Sequence, residues 1–443
     1  MVLLILPNQL FDKKYIDKTE KIVIWECPHY FCDYNYNKKK LVLHRASMKY
    51  YEDYLKSYGY NVEYIGYNKN IHNDDYIIYN PLNKLDVLKL PLKTKVNDIS
   101  TPNLMLSMSD LKEYRGKTDK YFFNAFYMWS KKKLNIIPDV KSQDKYNRKV
   151  LKNNTSSTQI TQVKQPFEEI NLKIEKVYIS EAISYVNKNF PKNCGNTDNF
   201  IFPITHYGAR KWLDHFIRFK FKLFGDYQDY IDKTDNYLYH SMLSSLINIG
   251  LLNPGEIIKE IEKYQSVIPL NSYEGFVRQL FWREYQYYCY INVDFSSNYF
   301  NHKKHLTDNW YNGTTGILPV DDAIKEAFDT GYLHHIKRLM VVGNYMNLSG
   351  IQPKEGFKWF MEFSCDSYEW VMHQNVYDMV FFVTNGKTMR RPYISSSNYI
   401  LKMSNYKKDK WSDIWDTKYK NFISQNKKKL YKYRYYFSTK NEK

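Results

Sequence analysis

Two adjacent histidines, His334 and His335, followed by Ile336-Lys337-Arg338-Leu339-Met340, are the side chains best suited to move a proton near neutral pH. Neighbouring positions on one helix point about 100° apart, so the pair cannot share a face as metal ligands at i, i+4 would. They suit proton transfer or hydrogen bonding to two different neighbours, or packing in a helical core. A second stretch, Tyr239-His240-Ser241-Met242-Leu243-Ser244-Ser245, places hydroxyls and backbone N–H groups at a loop-to-helix junction. That arrangement suits a diphosphate about as well as it suits a plain helix N-cap. Trp282-Arg283-Glu284-Tyr285 shares a helical stretch with Glu274 and Arg278, charges expected to pair with one another. The cysteines Cys27, Cys32, Cys194, Cys289 and Cys365 contain no C-x-x-C, so neither a disulfide scaffold nor a zinc site is expected.

These groups fall in a part of the chain with helical spacing, over 209–224, 255–264, 273–290, 323–348 and 354–363. Ahead of it, short apolar runs at 2–6, 21–25, 61–66 and 75–79 read as strands, with a helix at 45–58 between the second and third. Strand, helix and strand in that order imply right-handed crossovers and a parallel sheet. No G-x-G-x-x-G follows the first strand, which removes the dinucleotide fingerprint, yet the strand ends remain a place for a ligand. The expected architecture is an α/β Rossmann-like domain over 1–136, a polar linker over 137–166 and an all-α domain over 167–443.

Composition narrows the partners. Of 443 residues 43% are hydrophobic, which excludes a wholly disordered chain, and the formal charge of +18 favours polyanions, nucleic acid before an anionic membrane. The runs Lys38-Lys39-Lys40 and Lys131-Lys132-Lys133 read as solvated faces. The last residues, 427–443, carry seven Lys/Arg against one Glu with five aromatics between them: a nucleic-acid track or a frayed terminus. No run approaches a membrane span, and the apolar start is too short for a signal peptide, so a soluble intracellular protein is expected, and a monomer.

Together these stretches resemble the photolyase/cryptochrome family. The loop fits its T-S-x-L-S-x-x-L-x-x-G phosphate motif with His240 for Thr, and Trp282–Tyr285 its W-R-E-[FY] motif. Further marks are similar to the bacterial branch of iron–sulfur cryptochromes and prokaryotic (6-4) photolyases. They include Asn8-Gln9-Leu10, Phe126-Tyr127, Phe202-Pro203-Ile204-Thr205, His334–Met340, Asp366-Ser367-Tyr368-Glu369-Trp370 and Pro392-Tyr393. The resemblance implies the photolyase fold, an α/β antenna domain and a helical domain holding FAD. It assigns Tyr227, Ser241, Leu243 and Ser244 to the FAD-phosphate region, and Arg338 and Asp366 to an ion pair beside the isoalloxazine. Trp359 matches the flavin-proximal tryptophan, and Tyr393 and Tyr399 the lesion pocket. In the branch a lumazine-type antenna chromophore sits at the strand ends, where Gln9 and Glu26 are placed to meet its ring edges; a solvated Glu26 is the alternative.

The departures carry expectations of their own. Four cysteines hold the branch's cluster; Pro319, Lys407 and Lys410 stand at three of those positions and no cysteine follows Cys365. A cluster needs thiolates, so an iron–sulfur cluster is expected to be absent, with packing around Trp411 and Trp415 in its place. Tyr311 replaces the outer tryptophan of the electron route, and without a proton acceptor it would slow photoreduction or divert it through Trp310. Met372 stands where photolyases outside the branch have Asn facing flavin N5, and a thioether is a poor acceptor for a protonated N5.

The resemblance implies light-driven repair of UV-damaged DNA, with electron transfer to a flipped-out pyrimidine lesion. His335 matches the position that supplies an acid in (6-4) enzymes, whereas cyclobutane enzymes usually have Asn there. The alternative is a blue-light flavin photoreceptor without repair. A third reading, a DNA-binding relic without flavin, is disfavoured by the intact Ser241, Arg338 and Asp366.

Overall fold

Leu3, Leu4 and Ile5 of the first strand, β1 (Val2–Ile5), are buried, as are Ile22–Ile24 of β2 (Lys21–Trp25). Such continuous apolar runs belong in a parallel sheet covered on both faces. β3 (Val62–Ile65), β4 (Tyr76–Tyr79) and β5 (Lys95–Asn97) complete it in the order β3-β2-β1-β4-β5, every pair parallel. The order reverses between β1 and β4. In this computed structural model the described residues are 2–16, 21–72, 74–84, 90, 94–97, 101–149, 163–170 and 172–437. The centre of the polar linker, 150–162, and the chain end, 438–443, lie outside them.

The first long helix, α1 (Lys38–Ser57), starts about two turns earlier than its apolar periodicity suggests, because the Asn37 side chain caps it by accepting from the Lys39 amide. This reverses the reading of Lys38–Lys40 as a solvated run. Lys39 and Lys40 are buried, and their ammonium groups reach across to the helical half: Lys39 to the Asn196 side chain (2.7 Å) and Lys40 to the Ser367 carbonyl (2.5 Å). Lys131 in α2 (Phe123–Leu134) is buried too, donating to the carbonyls of Ile137 and Val140. α3 (Lys173–Asn189) lies against α1, tied by Arg45 to Glu181 (2.6 Å) and by the edge-on rings of Tyr50 and Tyr178 (5.5 Å).

From His206 to Tyr436 the regular structure is helical, joined by irregular loops. α4 (Leu270–Asn292) is its central rod, with Tyr285, Tyr288 and Tyr290 fully buried. The stretch 323–348, expected as one helix, is two. α5 (Leu318–Thr330) stops at Gly331, whose φ of +68° is left-handed; a Cβ there would lie 2.7 Å from the Cys365 sulfur. Helix resumes at His335 and winds as a wide π-helix over Lys337–Gly343 before continuing as α6 (Asn344–Ser349). Two further π segments are Phe216–Lys220, early in the helical half, and His373–Val380, which follows α7 (Pro353–Phe363). The segments at 337–343 and 373–380 face the same cavity, and such wide turns recur at functional sites.

Candidate active site

The break at Gly331 aims Tyr332–His335 into a cavity of about 1010 Å³ in the helical half. The two histidines straddle the helix start rather than sharing a helix. His334 is buried in the wall; its ring stacks on His240 at 4.5 Å and 14°, and neither of its nitrogens has a protein partner. His335, the first helical residue, is exposed toward the cavity space. The enclosing walls push its pKa down to about 4, Arg338 adds to this and Asp366 opposes it.

Arg338, one turn further on, is held from two sides. Its Nε donates to the Leu333 carbonyl (2.6 Å), and its two terminal nitrogens donate to the two Asp366 oxygens at 2.8 and 3.2 Å. Burial pulls the Asp366 pKa up, but the charge of Arg338 and hydrogen bonds from Arg338, Ser244 and Ser364 outweigh it and hold the carboxyl below its usual range. Ser244 supplies one of those bonds through its hydroxyl (2.6 Å), and Asn248 donates to the Asp366 carbonyl (2.9 Å). Asn248 in turn accepts from Arg283 (3.1 Å), so the W-R-E-Y helix and the serine loop are joined through one polar chain. In that loop Met242 takes a left-handed φ of +58°, and Ser241 and Leu243 on either side line the cavity. Met372 lines it as well.

Of the charges on α4, Arg283 and Glu284 pair with each other (3.9 Å), as expected, whereas Arg278, at the cavity mouth, and Glu274 take other partners. Arg278 binds Asp144 (2.6 Å), and Arg148 bridges Asp144 (3.0 Å) and Asp229 (2.7 Å), whereas Glu274 accepts from the Tyr127 hydroxyl and the Gln143 amide. Asp144 and Arg148 come from the segment read as a surface linker, so that segment forms part of the cavity wall. Phe123 of α2 stacks on Trp282 with ring centroids 3.8 Å apart. Tyr393 and Tyr399, both half-buried, line the same mouth beside the exposed Arg390 and Arg391. Burial pushes both tyrosine hydroxyls up in pKa.

Five of the residues singled out by sequence do not line this cavity. Tyr227 stacks on Tyr239 (5.5 Å) behind the loop. Trp359 is fully buried behind Phe360, which does face the cavity, and its indole N–H donates to the Trp310 carbonyl (2.7 Å). Tyr311 contacts Phe328 (5.7 Å), which lies edge-on to Trp359 (5.6 Å), and its hydroxyl donates to Glu362 at 2.9 Å. The condition set for Tyr311, a proton acceptor beside it, is met in geometry: the buried Glu362 carboxyl group lies within hydrogen-bond reach, one turn beyond Trp359. Gln9 and Glu26 sit at the sheet end as inner polar struts. Gln9 accepts from the Leu6 amide and donates to the Tyr79 carbonyl, while Glu26 accepts from Arg45, Tyr64, Tyr185 and the Tyr67 amide. Glu26 is fully buried, so the solvated alternative is also set aside.

Pro319 is buried at the start of α5 and Lys407 and Lys410 are exposed; none offers a thiolate, and a thiolate-held cluster does not fit them. Trp415 instead packs on Tyr345 (5.0 Å) and edge-on to Trp411 (6.4 Å), donating its N–H to the Ser395 carbonyl (3.0 Å). Among the described residues no His, Cys, Asp or Glu cluster could hold a metal ion, and no helix is long and apolar enough to cross a membrane.

A parallel α/β domain joined to a helical domain around one deep, cation-rimmed cavity defines a class, and comparison with known proteins specifies it. Residues 3–86 and 74–202 match the family of deoxyribodipyrimidine photo-lyase-related proteins, and 276–410 match the FAD binding domain of DNA photolyase. The chain belongs to the photolyase/cryptochrome family. It is 36% identical over 266 residues to a (6-4) photolyase of Agrobacterium fabrum, an alignment covering 56% of this chain and 52% of that one. The chain thus spans about half the length of that relative. Uncharacterized protein R855 of Acanthamoeba polyphaga mimivirus is 57% identical over 88 residues, 20% of this chain and 72% of that one. The crystal structure of a bacterial class III photolyase from Agrobacterium tumefaciens superposes with a TM-score of 0.56 at 14% identity, covering 99% of this chain and 90% of that one, a likeness of fold.

Proposed function

We propose that this protein holds FAD in the cavity of its helical half and repairs UV-damaged DNA in light, acting on a flipped-out (6-4) pyrimidine lesion. The observation that carries the reading is the cavity itself. It unites the Arg338–Asp366 pair, the unpartnered His334 and the exposed His335 behind a mouth of arginines and aromatic rings. Its size suits a large cofactor with room for a second ligand. When bound, reduced flavin supplies the photoexcited electron that opens the lesion and is returned afterwards, with no net redox change.

The chain's own residues would do the rest. Asp366 fixes the Arg338 guanidinium, whose charge favours an electron-rich ring beside it. The left-handed turn at Met242 would present Ser241 and the loop backbone to the cofactor's diphosphate, while His334, stacked on His240, backs that loop from inside the wall. Arg390 and Arg391 take strand phosphates, while the stacked Phe123–Trp282 pair offers a flat apolar wall to the extruded bases.

A (6-4) lesion must return a hydroxyl or amine from one pyrimidine to the other, and that transfer requires an acid beside it. His335 is the side chain placed to give the proton, with Tyr393 and Tyr399 donating hydroxyl hydrogen bonds. In the open cavity His335 is neutral at pH 7, so the negative charge of the bound strand must raise its pKa for it to act. The similarity to a (6-4) photolyase supports the lesion assigned. The reading is tested by a flavin spectrum of the purified protein followed by repair of irradiated oligonucleotides. A protein that holds FAD yet repairs nothing would favour the photoreceptor alternative.

A further inference from the structure

We propose that the segment Lys427–Phe437 is a stacking platform for bases left unpaired at the mouth of the cavity when a lesion is extruded from DNA. The proposal rests on the reading of the protein as a DNA-repair enzyme and names a second contact surface beyond the lesion pocket. The segment is not a frayed end. Leu430 and Tyr433 are buried, Tyr433 lies edge-on to Phe382 (5.4 Å), and Lys429 and Tyr299 each bond the other's backbone carbonyl (2.6 and 2.8 Å).

Anchored from beneath, the segment presents rings outward. Tyr431, Tyr435 and Tyr436 are 63%, 77% and 56% exposed. Three exposed rings within six residues form a contiguous aromatic surface with faces open to a flat ligand. The Arg434 guanidinium lies between two of them, 4.3 Å from the Tyr431 ring and 4.4 Å from the Tyr435 ring. In a tight 3₁₀ turn, residues three apart share a face, which sets Arg434 above Tyr431. The row continues to the cavity: Tyr436 lines its mouth, and Arg391 sits 4.6 Å from the Tyr436 ring.

The chemistry of the surface selects its occupant. Residues 427–437 hold five basic side chains and no acidic one, which matches a phosphate backbone. Rings alternating with cations match single-stranded nucleic acid, because every base has a face to stack and paired bases do not offer theirs. Extruding a lesion leaves the bases opposite it without partners, and the Tyr436–Arg391 end of the row lies at the mouth where the duplex is opened.

The test is fluorescence anisotropy in the dark, comparing a labelled oligothymidylate with an undamaged duplex across a salt series. Y431A/Y435A keeps every charge and removes two solvent-exposed rings. It is expected to weaken oligothymidylate binding by about fivefold or more while changing duplex binding less than about twofold. R434Q is expected to lower the slope of log affinity against log salt on the oligothymidylate by about 0.7. Unchanged oligothymidylate binding by Y431A/Y435A, with wild-type melting temperature and flavin content, would overturn the platform, as would an equal loss on both DNAs. Wild-type preference for lesion-bearing over undamaged duplex tests the repair reading separately and does not depend on these two rings.

Discussion

Arg338 and Asp366 meet through two nitrogen–oxygen contacts of 2.8 and 3.2 Å, three residues beyond His335 and on the same cavity wall. The pair has three further supports: the Leu333 carbonyl on the arginine, and the Ser244 and Ser364 hydroxyls on the carboxylate. Asp366→Asn removes the charge and keeps the shape, leaving a largely buried guanidinium unpaired. We expect a loss of about 3 kcal/mol in stability, read by denaturant unfolding, and a several-fold drop in flavin per chain. A variant that keeps full flavin content at wild-type stability would show that the pair is incidental.

The buried histidines set an acid limit. Burial lowers His206 and His373 from the ordinary 6.5 to about 4. Between those values the unfolded chain binds more protons than the folded one, so stability is fully present above about pH 6.5 and falls as pH drops toward 4. Each group contributes about 3 kcal/mol at most over that window. Melting temperatures measured from pH 7.5 to 4.5 should decline below pH 6.5, and His206→Gln should flatten the decline. A melting temperature that stays level down to pH 4.5 would contradict this.

Tyr311 with Glu362 forms a hydroxyl–carboxylate pair 2.9 Å apart, connected to Trp359 by Phe328. A tyrosine that gives up an electron must also shed its proton, and Glu362 stands ready to take it. Tyr311→Phe and Glu362→Gln are each expected to slow flavin photoreduction several-fold at unchanged flavin content, followed by absorbance under blue light. Equal rates in wild type and both variants would move the route to Trp310.

Iron and acid-labile sulfide analysis of the purified protein should find neither in stoichiometric amount, because Pro319, Lys407 and Lys410 offer no thiolate. The stabilising role falls on Trp415, which is fully buried against Tyr345. Trp415→Ala should cost about 3–5 kcal/mol, unaffected by chelators. About four irons per chain would contradict the assignment.

The sheet was legible because its strands are short, continuous apolar runs, and β2 runs over the residues expected. β5 was missed: Lys95–Asn97 is three residues with one apolar side chain, too short for any period to register. Periodicity also ran across Gly331, since Ala323, Ala327 and Leu333 keep apolar spacing on both sides of the break; the left-handed glycine was the available signal. The buried Lys39 and Lys40 look in sequence like any solvated run, as their acceptors, Asn196 and Ser367, lie in distant parts of the chain. The cavity's motif residues could be named, but not the wall that Asp144 and Arg148 build. Nothing in a polar segment announces which cavity it will close.

The role proposed for His335, giving a proton to a (6-4) lesion in a flavin-loaded cavity, has a direct test. The direct measurement is repair of oligonucleotides carrying either a single (6-4) photoproduct or a single cyclobutane dimer, in light and in darkness, by wild type and His335→Ala at matched flavin content. We predict light-dependent repair of the (6-4) substrate by the wild type, lost by about 10²-fold or more in His335→Ala while DNA binding is retained. Repair of the (6-4) substrate by His335→Ala at the wild-type rate would contradict the account, as would a wild type that restores only the cyclobutane dimer or neither lesion.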